Sequence, residues 1–281
     1  MRHGLLVPAS YTDWPTLRSC WEVADADPII ESAWLTDHLF ASTELGRLDS
    51  SGDTLESWTT AAALAMVTER IRIGFLMANV SLRAPFVIAK MAANLDHLSG
   101  GRLELGIGAG WAEAEAQACG TTLGTPKERL ARQEEALEII TQLLTGEPVS
   151  FDGEHFKIEL AQCVPAPVQT PRPPIAVGGH GLVKTPRLAA QWADHWNCNW
   201  RTPEEWTERR DAFVKACEVH GRDLSTMTTS TALAFDPAAP EKYLELLAEY
   251  ERRGADLVIA VLDSGTGPDD VQLLIDTIRN R

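Results

Sequence analysis

Short runs of β-type residues alternate with longer stretches of helical apolar spacing along the whole sequence, and this rhythm constrains the chain more than any other feature. It predicts strands at His3–Val7, Ala33–Asp37, Ile71–Met77, Arg102–Ile107, Ile175–Val177, His195–Asn199, Met227–Phe235 and Leu257–Val261. Helices are expected at Pro15–Ala26, Ser57–Thr68, Pro85–Leu98, Glu128–Leu144, Lys184–Trp192, Glu204–His220, Pro240–Arg253 and Asp269–Arg279. Alternating βα units build parallel sheets with helical crossovers. An open doubly wound sheet shares the pattern, but eight units in 281 residues favour an α/β fold closed as a (βα)8 TIM barrel. One stretch breaks the rhythm: Val149–Ile158 (VSFDGEHFKI) reads as a hairpin turning at Asp152–Gly153, a small insertion after the fourth helix. No Gly/Ser linker or shift of composition divides the chain, so residues 1–281 are expected to form a single barrel domain. In such a barrel the strand C-termini carry the site.

Charge narrows the function. Lys and Arg number 25 against 40 Asp and Glu, a net charge of 25 − 40 = −15, and nucleic-acid binding would want a basic face instead. No apolar run has the ~18–20 residues of a membrane span, and the N-terminus shows no basic-then-apolar signal pattern. The five cysteines are scattered without a CxxC pair and read as reduced thiols, so a cytoplasmic location is expected.

Three places could carry chemistry. Asp37–His38 closes the second predicted strand; it is either a proton-transfer pair or a polar cap on a strand end. Gly100–Gly110 (GGRLELGIGAG) ends in alternating glycines, Gly106, Gly108 and Gly110, which either admit a flat ligand against the backbone or serve tight packing at the rim. As a dinucleotide fingerprint the run fails, because Trp111 follows Gly110 and no acidic residue stands at the required distance. Pro174–Gly181 (PIAVGGHG) runs from strand through Gly178, Gly179, His180 and Gly181 into a helix, a turn that suits a phosphate and also fits a plain strand-to-helix connection. No Asp or Glu occurs between Glu159 and Asp194, a stretch holding Arg172, His180, Lys184 and Arg187. A second acid-free stretch, Arg70–Leu95, holds Arg70, Arg72, Arg83 and Lys90. On an acidic protein these two stretches are where an anionic ligand would find positive potential. Metal ligands with workable spacing and a GxSxG nucleophile are both missing from the sequence, so no metal is expected. Trp14, Trp58 and Trp111 either wall a substrate pocket or pack in the core.

At Asp37–His38, Ala89–Trp111 (AKMAANLDHLSGGRLELGIGAGW) and Pro171–Gly181 the sequence resembles the bacterial-luciferase-like superfamily, and within it the coenzyme F420-dependent oxidoreductases. The resemblance implies a (βα)8 barrel with a flavin or deazaflavin across its C-terminal mouth. It puts Asp37 and His38 beside the reactive ring, His38 as acid or base and Asp37 orienting it. Met77, Ala78 and Asn79 match the bulge of the third strand, which in many members contains a non-proline cis peptide. Gly106 and Gly108 match the contact of the fourth strand, and Gly178, Gly179, His180 and Gly181 the phosphate loop. The implied activity is hydride transfer between F420 and a small organic substrate; the alternative is an FMN-dependent monooxygenase using O2. The acid-free stretches favour F420, which carries a polyglutamate tail besides its phosphate. The related sugar-phosphate dehydrogenases carry a Glu directly after the strand-four GxG, where this chain has Ala109, so a sugar phosphate is not the expected substrate. Members are often homodimers. A non-catalytic flavin carrier would not need Asp37–His38, and a Schiff-base aldolase would want a Lys that no predicted strand ends in.

Overall fold

Eight parallel strands close on themselves in the computed structural model, which describes residues 1–41, 48–49 and 51–281. The strands in chain order are β1 (Arg2–Leu6), β2 (Ile30–Leu35), β3 (Arg72–Phe75), a two-residue β4 (Ala78–Asn79), β5 (Leu103–Gly108), β6 (Val149–Asp152), β7 (Lys157–Ala161), β8 (Ile175–Gly178), β9 (His195–Asn197), β10 (Thr228–Ala234) and β11 (Leu257–Val261). The helices are α1 (Trp14–Ala26), α2 (Ser57–Val67), α3 (Pro85–Ser99), α4 (Glu113–Ala118), α5 (Pro126–Leu143), α6 (Lys184–Trp192), α7 (Pro203–Val219), α8 (Pro240–Arg252) and α9 (Pro268–Arg279). Barrel neighbours run β1, β2, β3, β5, β8, β9, β10, β11 and back to β1, with β3 pairing directly to β5 across the short β4. Leu5 lies opposite Ala33 on one side and Ala260 on the other. This is the TIM barrel that the alternating pattern predicts.

Local chemistry sets the helix starts. Thr125 and Glu128 form a reciprocal capping box around Pro126, and Thr202 and Glu205 do the same around Pro203. Both helices therefore begin before the expected Glu128 and Glu204. The larger core lies between the outer face of the barrel and the helices. A smaller cluster, Leu6, Trp34, Ala232, Leu257 and Ile259, fills the lumen. Gly74 makes space there, since a Cβ at that position would collide with the Trp34 ring.

The insertion is an antiparallel hairpin pairing Phe151 with Ile158 and Asp152 with Lys157. It extends to Ala161, beyond the expected Ile158, and Glu135 of α5 accepts the N–H groups of Glu154, His155 and Phe156 at its turn. The third strand is shorter than expected. It stops at Phe75, the Leu76–Met77 peptide is cis, and pairing resumes at Ala78. β2 likewise ends at Leu35, so Asp37 lies in the loop beyond it. Residues 42–47 and 50 of the polar loop 42–53 lie outside the described residues. No helix among the described residues is long and apolar enough to cross a membrane.

Partial burial of His3 at the base of the barrel, with the N-terminal ammonium and Arg281 nearby, pushes its pKa down from 6.5 to about 4. The folded chain keeps this ring neutral while the unfolded chain takes up a proton below 6.5. Stability is therefore level above that pH and falls as pH drops towards 4, by at most about 3 kcal/mol before solvent screening. His3→Gln should flatten the slope of urea midpoints between about pH 7 and about pH 5; an unchanged slope contradicts the assignment.

Candidate functional site

The segments singled out in the sequence gather where the barrel strands end. Asp37 and His38 follow β2, the Met77 bulge follows β3, Gly106 and Gly108 close β5, and Gly178–Gly181 follow β8. Asp37 and His38, adjacent in sequence, face different partners. Asp37 is buried, accepts Arg83 Nη1 at 2.9 and 2.8 Å and the Asn79 N–H at 2.9 Å, and Arg83 also reaches Glu56 at 2.7 Å. Asp37 therefore does not orient His38; its carboxylate anchors the bulge through Asn79 and is neutralised by Arg83.

Glu115 orients the ring instead. Its Oε2 lies 3.0 Å from His38 Nδ1, and its Oε1 accepts the Leu39 N–H at 2.7 Å. Burial pushes the Glu115 carboxyl up, but the His38 ring and the backbone N–H groups of Leu39 and Phe40 outweigh it and hold the pKa low. Trp111 stands edge-on to His38 with ring centroids 5.5 Å apart, and is itself half exposed. Glu115 belongs to α4, a six-residue helix that periodicity alone does not reveal. Two acidic residues, Glu113 and Glu115, directly after Gly106–Trp111 were the available signal.

The glycines make room for the bulge. A Cβ on Gly106 would collide with the Phe75 carbonyl and Met77 Sδ; one on Gly108 would lie 2.9 Å from Met77 Cβ, and one on Gly178 2.6 Å from Met77 Cε. Tight packing is thus what Gly106 and Gly108 meet directly, with Met77 spanning all three glycines. Ala78 is fully buried, and Asn79 is tied to Asp37 and to the Ser81 N–H. Trp58 stacks on Phe75 in the core.

At the β8 end, Gly179 takes φ +151° and its N–H donates to the Asn197 carbonyl. Gly181 leads into α6, whose N-terminus has no side-chain cap. Arg201 Nη2 lies 3.0 Å from His180 Nδ1, and Arg209 donates to the His180 carbonyl at 3.1 Å. Lost hydration and these two guanidinium groups hold the His180 pKa down. Arg201 forms no ion pair among the described residues.

The acid-free stretches are not acid-free in space. Glu134 of α5 pairs with both Lys184 and Arg187, Asp194 takes Arg172, and Asp37 and Glu56 take Arg83. Arg70 donates to the Ala24, Asp25, Asp27 and Ile30 carbonyls, and Lys90 to the Val164 carbonyl. The positive groups beside Gly179–Gly181 are Arg201 and Arg209, which the sequence pattern did not single out.

These features have counterparts in solved structures. An F420-dependent secondary alcohol dehydrogenase in complex with an F420-acetone adduct superposes with a TM-score of 0.85 and 17% identity, over 99% of this chain and 98% of that one. The coenzyme F420-dependent tetrahydromethanopterin reductase of Methanopyrus kandleri gives 0.78 and 18%, over 97% and 95%. The monooxygenase RslO1 of Streptomyces bottropensis gives 0.70 and 20%, over 100% and 89%. At these identities the likeness is one of fold. An uncharacterised protein of Mycobacterium tuberculosis strain H37Rv is 37% identical over 143 residues, 51% of this chain and 49% of that protein. The alignment thus spans about half the length of the curated relatives it matches. The model of the luciferase-like monooxygenase family matches residues 30–261, most of the barrel and every segment of the candidate site, and the chain belongs to that family.

Proposed function

We propose that the protein is an oxidoreductase moving a hydride between coenzyme F420 and a small organic substrate at the C-terminal mouth of the barrel. The observation that carries this reading is the buried Glu115 carboxylate holding His38 at that mouth. The two solved structures of highest TM-score above are F420 enzymes, which favours F420 over FMN. The donor set fits such a group: an uncapped helix start, two glycines, and Arg201 with no acidic partner among the described residues form a cradle for a phosphate. Gly179, His180, Gly181 and Arg201 would hold that phosphate, while Met77, backed by Gly106, Gly108 and Gly178, would support the ring. Bound there, the deazaflavin supplies a ring carbon that gives or accepts hydride.

The chain's own task is the proton. With Glu115 anionic and engaged at Nδ1, His38 Nε2 is left to give or take a proton at the substrate oxygen or carbon next to the site of hydride transfer. Trp111 walls one side of this position and excludes water from it. No carboxylate stands directly after Gly108, so Glu115 is the acid this segment brings to the dyad. The second reading is an FMN-dependent monooxygenase using O2, which the family's description and the likeness to RslO1 support. A cytoplasmic setting, a single domain and a homodimer belong to the same proposal.

Gly179 tests the cradle. At φ +151° any side chain strains the backbone, so Gly179→Ala measures strain and Gly179→Asp adds negative charge to it. Gly179→Asp should weaken F420 binding at least tenfold, about 1.4 kcal/mol, and clearly more than Gly179→Ala, with circular dichroism unchanged. Equal affinity in wild type and Gly179→Asp would remove the loop from the site.

A further inference from the structure

Inside the barrel a chain of polar side chains runs from the lower half towards the mouth. Glu104 of β5 bonds His195 Nδ1, His195 Nε2 lies 2.6 Å from Ser230 Oγ of β10, and Asn197 Nδ2 donates to that same Oγ at 2.8 Å. All four residues are buried in the barrel wall, and Trp34 stands edge-on to the His195 ring.

The direction of each hydrogen bond follows from proton count. Arg72, its Nε 3.8 Å from Glu104 Oε2, supplies a countercharge, so an anionic Glu104 does not need His195 to be a cation. A neutral His195 donates from Nδ1 to Glu104, which leaves Nε2 as an acceptor. Ser230 has one hydroxyl proton and gives it to Nε2. Towards Asn197 it can then only accept, and it takes a proton from Nδ2. The amide is thereby fixed with Oδ1 turned the other way, 3.4 Å from where a Cβ on Gly178 would stand, beside Met77 Cε. Asn197 is 2% exposed, and its Oδ1 accepts no hydrogen bond among the described residues. A buried carbonyl without a donor costs about 1–3 kcal/mol, which a ligand N–H at this point would recover.

We infer that Asn197 presents its amide carbonyl to the cofactor ring and accepts the imide N–H that deazaflavins and flavins share, with Ser230, His195 and Glu104 setting the amide's orientation. This rests on the cofactor chemistry proposed above. Asn197 is a binding residue, and the other three position it without touching the ligand. The chain also explains why a His and a Glu lie deep in the lumen, below the mouth: their charge and tautomer are read out at Asn197.

The test compares F420 with its imide-N-methylated analogue, by fluorescence titration, on wild type, Asn197→Ala and Ser230→Ala. Wild type should bind the methylated analogue at least tenfold more weakly than F420. Asn197→Ala should bind both alike, losing affinity for F420 but not for the analogue. Ser230→Ala, which frees the amide to turn, should narrow the gap to a few-fold although Ser230 touches no ligand. Thermal melts of both variants separate these effects from misfolding, and the wild-type comparison stands even if a variant fails to fold. Tight F420 binding with no discrimination by wild type, or discrimination that persists in folded Asn197→Ala, overturns this inference alone. No binding of F420 or FMN by wild type overturns the cofactor reading and this inference together.

Discussion

His38→Ala lowers kcat by ~10²–10⁴-fold, the usual worth of a positioned general acid or base, while the cofactor Kd moves only a few-fold. The loss falls on kcat because His38 meets the reacting proton, whereas the phosphate cradle lies across the mouth at Gly179–Gly181. The pH–rate profile should lose one limb in the variant. Glu115→Ala should act in the same direction and less strongly, since the ring stays present but is free to turn away from its 3.0 Å partner. Thermal stability and turnover are to be measured on one preparation. A stable His38→Ala enzyme that keeps more than half of the wild-type kcat defeats the catalytic assignment.

Asp37→Ala acts on stability. It strips Arg83 of its closest partner and leaves the Asn79 N–H without an acceptor at the start of β4. Breaking a buried ion pair from one side costs about 3–5 kcal/mol, and the loss here should be near 3 kcal/mol because Arg83 keeps Glu56 at 2.7 Å. Urea midpoints read this directly. The double variant Asp37→Ala/Arg83→Met should recover part of the loss, because no unpaired guanidinium remains. An Asp37→Ala protein as stable as wild type would show that the pair does not anchor the bulge.

The barrel was legible because each strand and helix announces itself over a handful of adjacent residues. What local pattern cannot carry is partnership across the fold. Asp37 and His38 read as a pair because they are neighbours, yet their partners lie 46 and 77 residues further along, in Arg83 and Glu115. The acid-free stretches misled for the same reason: Glu134, far from Lys184 and Arg187 in sequence, meets both in space. The break in the third strand was hidden inside a continuous apolar run, Ile71–Met77, where a strand of full length and a bulged one have the same composition. The glycines were correctly singled out as close-approach positions, but what approaches Gly106 and Gly108 directly is Met77. Helix starts at Thr125 and Thr202 were readable in principle, since Thr-Pro-x-Glu is present at both.

The central claim is that the mouth of this barrel is built for a deazaflavin, and equilibrium titration of the purified protein with F420 and with FMN tests it most directly. The account predicts saturable binding of F420 at least tenfold tighter than FMN, a preference that weakens with added salt as Arg201 and Arg209 are screened. FMN binding as tight as F420, or FMN retained at full occupancy through purification, would contradict it.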